Sequence, residues 1–243
     1  MRVLAAGPHP DDVESAAAGT LALAAQRGYA VKVVCPNAHP EFSPHAAVDG
    51  ADRSRLLEAA EAATVLGADF EELPVVPYEG HRTTLPMMVE LLRRSQPHVV
   101  FVNTEDDVHP FHRQIAQLTL EAVFLAQLPT VRTEHEPWTV SQIFRYGAFT
   151  ARNFLPDTFV DVTSTFSLAR RALAAHSKGL VQLPGLTHWA NNTRTHYGLQ
   201  TAVPYAEGFS VYRGYPFDHI EHRQVGYEFV SQLNALAIRS RTV

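Results

Sequence analysis

His9-Pro10-Asp11-Asp12-Val13-Glu14 crowds one imidazole and three carboxylates into six residues. Such a cluster costs folding energy unless something positive sits among it, and a divalent metal ion is the simplest such thing. A second stretch, Glu105-Asp106-Asp107-Val108-His109-Pro110-Phe111-His112, repeats the mixture of acid, histidine and proline. His9, Asp12 and His112 together make a two-histidine, one-carboxylate set, of the kind that holds a catalytic zinc and leaves a position for water. Asp11 is then left to take the water's proton. His109 is left to stabilise a tetrahedral intermediate and to protonate a leaving amine. That is a sufficient kit for hydrolysing an amide. Blander readings stand beside it. An Asp ahead of a helix is a common N-cap, and His109 and His112 read singly are two exposed histidines beside an acidic turn. Two such clusters, both at strand ends, favour the metal.

The elements that must position these residues follow from the hydrophobic pattern. Arg2 to Ala6 reads as a buried first strand, and Val13 to Gln26 as a helix stopped by Gly28. Ala30 to Cys35 is a second strand. The stretch from Asn37 to Gly50 has no period and is long enough to suspect a functional loop. Asp52 to Leu66 is helical, Phe70 to Val76 a short strand and Leu85 to Arg94 a helix. His98 to Val102 is a central strand, followed by a helix from Pro110 to Gln127 with Pro110 at its first position. Val140 to Tyr146 and Phe159 to Val162 read as strands and Phe166 to Lys178 as a helix. Leu183 to Val203 reads as irregular and aromatic, Phe209 to Tyr212 as a strand, and Tyr227 to Ile238 as a last helix. Strands alternating with helices predict an α/β fold: a Rossmann-like, doubly wound, mostly parallel sheet in a single domain over residues 1–243. Ligands of such a sheet sit at the carboxyl ends of its strands, which is where both clusters fall.

The totals narrow the class. The chain has 243 residues, 46% hydrophobic and 19% charged, enough for a sizeable core. A net charge of −5 and the lack of a basic run argue against a nucleic-acid partner. One cysteine, Cys35, forms no internal disulfide and fits a reducing cytoplasm. No apolar run is long enough to span a bilayer, and Asp11 arrives too early for a signal peptide. A nucleotide site is disfavoured, since no Gly-x-Gly-x-x-Gly follows the first strand and carboxylates there would repel a phosphate.

The chain resembles the LmbE-like (PIG-L) family of zinc-dependent N-acetylglucosamine deacetylases, of the kind found in bacillithiol and mycothiol pathways. His9-Pro10-Asp11-Asp12, with Val13-Glu14 and Gly19-Thr20 following, looks like its first motif. Arg55, Glu58 and Leu66-Gly67 match its Arg-x-x-Glu helix, and His109-Pro110-Phe111-His112 its His-Pro-Asp-His motif. Phe159-Val160-Asp161-Val162, His176-Ser177 and Tyr205-Ala206-Glu207-Gly208-Phe209 look like its C-terminal signposts. The resemblance implies one zinc ion per chain on His9, Asp12 and His112, a base at Asp11, and an acid or oxyanion partner at His109. It also implies a contact from Arg55 to substrate hydroxyls, against a plain helix-surface pairing of Arg55 with Glu58. His176 and Glu207 are weighed as pocket residues and read as structural. The implied substrate is a small-molecule N-acylated amino sugar or its conjugate, with no nucleic-acid or membrane partner. A homo-oligomer is compatible with the sequence.

Three departures bear on substrate more than on reaction. Phe111 stands where the family has an Asp that would orient His109, a role Asp106 or Asp107 is left to fill. The 36–50 loop lacks the family's Thr-x-Gly-Glu and carries His39, Glu41 and His45. Lys178 replaces a Gln. The alternatives are therefore an amidase on a non-sugar or thiol-conjugate amide, or a catalytically weak metal- or sugar-binding relative.

Overall fold

The computed structural model describes residues 1–36, 51–73, 80–214, 228–233 and 235–236. The first strand, β1 (Arg2–Ala6), is buried from its second residue on. Side chains alternate across a strand, so Val3 and Ala5 enter one hydrophobic core while Leu4 and Ala6 enter another on the opposite face. The first core is closed by α2 (Ala18–Gln26), α3 (Ala51–Leu66) and α6 (Phe166–Ala175), and the second by α4 (Leu85–Ser95) and α5 (Pro110–Ala126). This is the layered α/β arrangement that the alternating pattern predicts.

The remaining strands are β2 (Ala30–Pro36), β3 (Asp69–Leu73), β4 (Val99–Asn103), β5 (Gln142–Tyr146), β6 (Thr158–Asp161), β7 (Ala206–Val211) and β8 (Ala235–Leu236). They form one sheet in the order β3-β2-β1-β4-β5-β7-β6-β8. The first five in that order run parallel, and the last three join antiparallel. From β1 the chain winds out to β2 and β3, then returns to lay β4 on β1's other side. That reversal opens a crevice at the carboxyl ends of β1 and β4, where ligands of such sheets bind. Ala6 pairs with Val102 in the register, so the turns leaving the two strands start side by side.

Several boundaries differ from the sequence reading. The expected first helix is broken at Ala17, whose φ of −132° separates α1 (Asp12–Ala16) from α2. A π-helical turn, Gly80–Thr84, leads into α4. The helix expected over Phe166–Lys178 ends at Ala175, and a separate short α7 (Ser177–Gln182) follows; the stretch read as irregular, Leu183 to Val203, holds α8 (Leu186–Thr201). Its inward face is Leu186, Ala190, Arg194 and Gly198, a four-residue repeat hidden from a hydrophobicity scan because half of it is arginine and glycine. Tertiary contacts hold it: Arg194 Nε donates to Glu207 Oε1 at 2.8 Å, and Arg194 Nη2 to the Glu14 carbonyl at 2.8 Å. The expected last helix is helical only near residues 228–232 among the described positions, and Ala235–Leu236 pairs with β6 as strand β8. The 37–50 loop, with His39, Glu41 and His45, lies outside the described residues.

Candidate active site

The turn after β1 places the first cluster. Asp11 sits at φ 134°, a region that L-residues rarely adopt and that costs about 1–3 kcal/mol. The twist sends the two consecutive carboxylates to different partners. Asp12 turns back on its own loop and accepts the His9 backbone N–H at 2.9 Å. Asp11 faces the guanidinium of Arg55 on α3, at 3.8 Å.

The turn after β4 places the second cluster. Asn103, the last residue of β4, donates from Nδ2 to the His112 carbonyl at 3.0 Å and so ties the first turn of α5 to the strand end. His109 is the N-cap of α5, and its Nδ1 accepts the Phe111 backbone N–H at 3.2 Å.

The two turns meet. His9 Nδ1 lies 3.0 Å from His112 Nε2, and Asp12 Oδ2 lies 3.3 Å from each of them. A tetrahedral ion with bonds near 2.0–2.1 Å needs ligand atoms about 3.3 Å apart. Two imidazoles and one carboxylate, nearly dry at 13%, 5% and 9% side-chain exposure, fit a divalent metal in spacing and in charge. His109 also brings a ring nitrogen within 4.8 Å of those of His9 and His112. We favour Asp12 as the third ligand, because it is closer and anionic, while the His109 Nδ1 lone pair is already engaged.

Behind this triangle stands Asp107, which the sequence reading weighed only as a partner for the His109 ring. The structure corrects that role. Asp107 Oδ2 is 2.9 Å from His112 Nδ1, and its Oδ1 accepts the His109 backbone N–H at 2.8 Å and the Thr150 hydroxyl at 2.7 Å. The carboxylate therefore fixes His112 with its Nε2 lone pair facing the site, the usual support for a metal-binding histidine. Asp106 is turned away and pairs with Arg152 at 2.8 Å. Among the described residues no carboxylate is hydrogen-bonded to the His109 ring. Thr150 carries no sequence signature, since it reaches the site from the loop after β5.

The electrostatics separate the two aspartates. Burial pushes the Asp11 carboxyl up to about 7, and the Asp12 charge adds to it, against the pull of Arg55 and His176. Burial acts on Asp12 in the same sense, but His112 and His9 outweigh it and hold that carboxyl well below the usual range. Burial, with His9 and His112 nearby, lowers His109 to about 4, so its ring is neutral at pH 7. Burial would lower His112 too, yet Asp12 and Asp107 raise it above its ordinary value.

His176 and Glu207 lie just beneath the site. His176 Nε2 is 3.4 Å from Glu14 Oε2, both side chains almost fully buried. Glu207 accepts the backbone N–H groups of Gly19 and Thr20 at 2.9 and 2.8 Å, besides its pairing with Arg194. It therefore anchors the start of α2 instead of facing a ligand.

The described residues thus bring together a buried carboxyl of raised pKa, a triangle of two imidazoles and one carboxylate, and a neutral imidazole. Residues 4–123 match the family described as PIG-L, GlcNAc-PI de-N-acetylase. The chain carries a PIG-L (LmbE-like) family domain over those residues. It is similar to the 4-oxalmesaconate hydratase of Pseudomonas putida, at 27% identity over 178 residues, covering 67% of this chain and 68% of that protein. Its fold matches a conserved protein from Thermus thermophilus at 29% identity and TM-score 0.74, over 86% of this chain and 93% of that one. It matches the N,N'-diacetylchitobiose deacetylase of Pyrococcus horikoshii at 26% identity and TM-score 0.74, over 90% of this chain and 86% of that one. The named relatives are thus enzymes, a hydratase and a deacetylase. No helix among the described residues is long and apolar enough to cross a membrane.

Proposed function

We propose that this chain is a metal-dependent hydrolase that removes an N-acetyl or similar acyl group from an amino-sugar-containing small molecule. The carrying observation is the division of labour at the first turn: Asp12 belongs to the ligand triangle, while Asp11 is held beside it as a separate, weakly acidic carboxylate. His9, Asp12 and His112 would hold one zinc ion, which when bound supplies Lewis acidity toward water and toward the amide carbonyl. Asp11 takes the proton of the attacking water, a task that its burial, which raises its carboxyl above the usual range, supports. His109 faces the oxygen on which negative charge develops. Arg55 holds Asp11 in place and is positioned to meet substrate hydroxyls.

The test is purified, zinc-loaded protein on a panel of N-acetylglucosaminides and non-sugar acetamides, read as acetate release. Release from the sugar members is expected. Hydration of 4-oxalmesaconate with no release from any amide would favour a hydratase, the second reading, which rests on the Pseudomonas putida relative. Turnover of the non-sugar amides alone would point to an amidase.

The same geometry fixes a pH effect. Arg55 lowers the Asp11 pKa, so Arg55→Met lets it rise. The base must be ionised to work. The acid limb of kcat/KM is therefore expected to move to higher pH, by about one unit, with the same metal loaded in both proteins. An unmoved limb would show that Asp11 is not the group titrating there.

A further inference from the structure

A second cleft, of about 350 Å³, lies between the turn after β4, the loop after β5 and the end of β7. It shares no residue with the metal triangle, and its volume suits a small molecule. Three arginines, Arg145, Arg152 and Arg213, meet two aspartates, Asp106 and Asp157, in its lining. On a chain of net charge −5, that is a local excess of positive charge.

The sheet register builds the cleft. Arg145 on β5 and Ser210 on β7 are paired across the two strands, so their side chains leave the same face. Arg145 Nε donates to Ser210 Oγ at 3.2 Å, and its guanidinium carbon lies 5.5 Å from the centre of the Tyr212 ring. These two contacts hold the fork in one orientation, with the side chain 29% exposed.

The three arginines are not equally occupied. Arg152 reaches Asp106 at 2.8 Å, and Arg213 reaches Asp157 at 3.2 Å. Arg145 has only Glu105, at 3.4 Å, outside the range of about 2.7–2.9 Å of a charged N–H···O bond. Its Nη2 has no hydrogen-bond partner among the described residues. A half-buried guanidinium with an open edge is a receptor for a planar, two-oxygen acceptor. Asp106 and Asp157 stand against a doubly charged group such as phosphate. Phe154 and Leu155 add an apolar wall to the same cleft, and Leu155 is 83% exposed.

We propose that this cleft binds a small carboxylic acid with an apolar body. The carboxylate seats on the open edge of Arg145, and the body lies against Phe154 and Leu155. Such binding stands whether or not the chain hydrolyses amides.

The probe is benzoate, with benzamide as its uncharged counterpart, titrated by NMR into zinc-loaded protein labelled at arginine nitrogens, histidine nitrogens and leucine methyls. Benzoate is expected to move the Arg145 Nε–H and the Leu155 methyl signals together and saturably, while benzamide leaves Arg145 unmoved. Arg145→Lys keeps the charge but loses the fork, and should weaken benzoate about tenfold or more. Leu155→Ala, at a position where little packing is lost, should weaken it several-fold. No saturable shift at Arg145, or shifts confined to the histidine rings of the metal site, would overturn the proposal. So would a lysine variant that binds as tightly as wild type. Inorganic phosphate binding Arg145 more tightly than benzoate would overturn the choice of a carboxylate.

Discussion

Asp11→Asn is expected to lower turnover by about 10²–10⁴-fold with the fold intact, the range typical of losing a general base. Asparagine suits the position sterically, because it is among the few residues that tolerate a positive φ, and Asp11 sits at 134°. The amide cannot take a proton from water, so the base is removed without a change of side-chain shape. A stability change of the opposite sign should accompany the loss. The Asp11 carboxyl is raised from an ordinary 3.8 to about 7 in the folded chain. Between those values the folded state holds a proton that the unfolded chain has released. The group's favourable contribution is therefore full below pH 3.8 and is lost as pH rises through 7. The variant never carries that buried charge. Metal-free Asp11→Asn should then melt above the metal-free wild type at pH 8, and the two should converge near pH 4. Unchanged turnover in the variant would remove Asp11 from the chemistry.

His112→Ala is expected to abolish turnover altogether. It deletes one corner of the ligand triangle and also strips Asp107, whose side chain is fully buried, of its ring partner. Removing a supporting partner of a metal-binding histidine costs about 10–100-fold in metal affinity, and removing the ligand itself should cost more. Because the variant also takes the partner of Asp107 Oδ2, wild-type protein stripped by a chelator is the matched control. It should lose activity and regain it with added zinc. Activity that survives chelation would mean that the triangle serves no metal-dependent chemistry.

Much of this arrangement was legible in the residues, for physical reasons. The strands that carry the two clusters are short apolar runs buried on both faces, and each ends in a proline-containing turn, so their place at carboxyl ends follows from pattern alone. The adjacency of β1 and β4 follows from the reversal of a doubly wound sheet, which makes neighbours of residues 9 and 112. What the pattern hid depends on single atoms. Nothing in Glu105-Asp106-Asp107 says which acid turns inward, and Asp107 does so because its Oδ1 also takes a backbone N–H and the Thr150 hydroxyl. The partner of the His109 ring is a main-chain N–H, a group that every residue but proline possesses. The helix α8 escaped because its buried face runs through Arg194 and Gly198, whose hydrophobicity says surface, while Glu207 and a close turn say otherwise. The edge strand β8 is set by pairing with the distant β6, which local propensity does not encode.

The most direct measurement is metal content per chain after zinc loading and desalting, for wild type beside His9→Ala and His112→Ala. One ion in the wild type and none in either variant is the expected result, since each variant removes a corner contributed by a different turn. Full metal retention in either variant, or no tight binding by the wild type, would contradict a shared centre between β1 and β4.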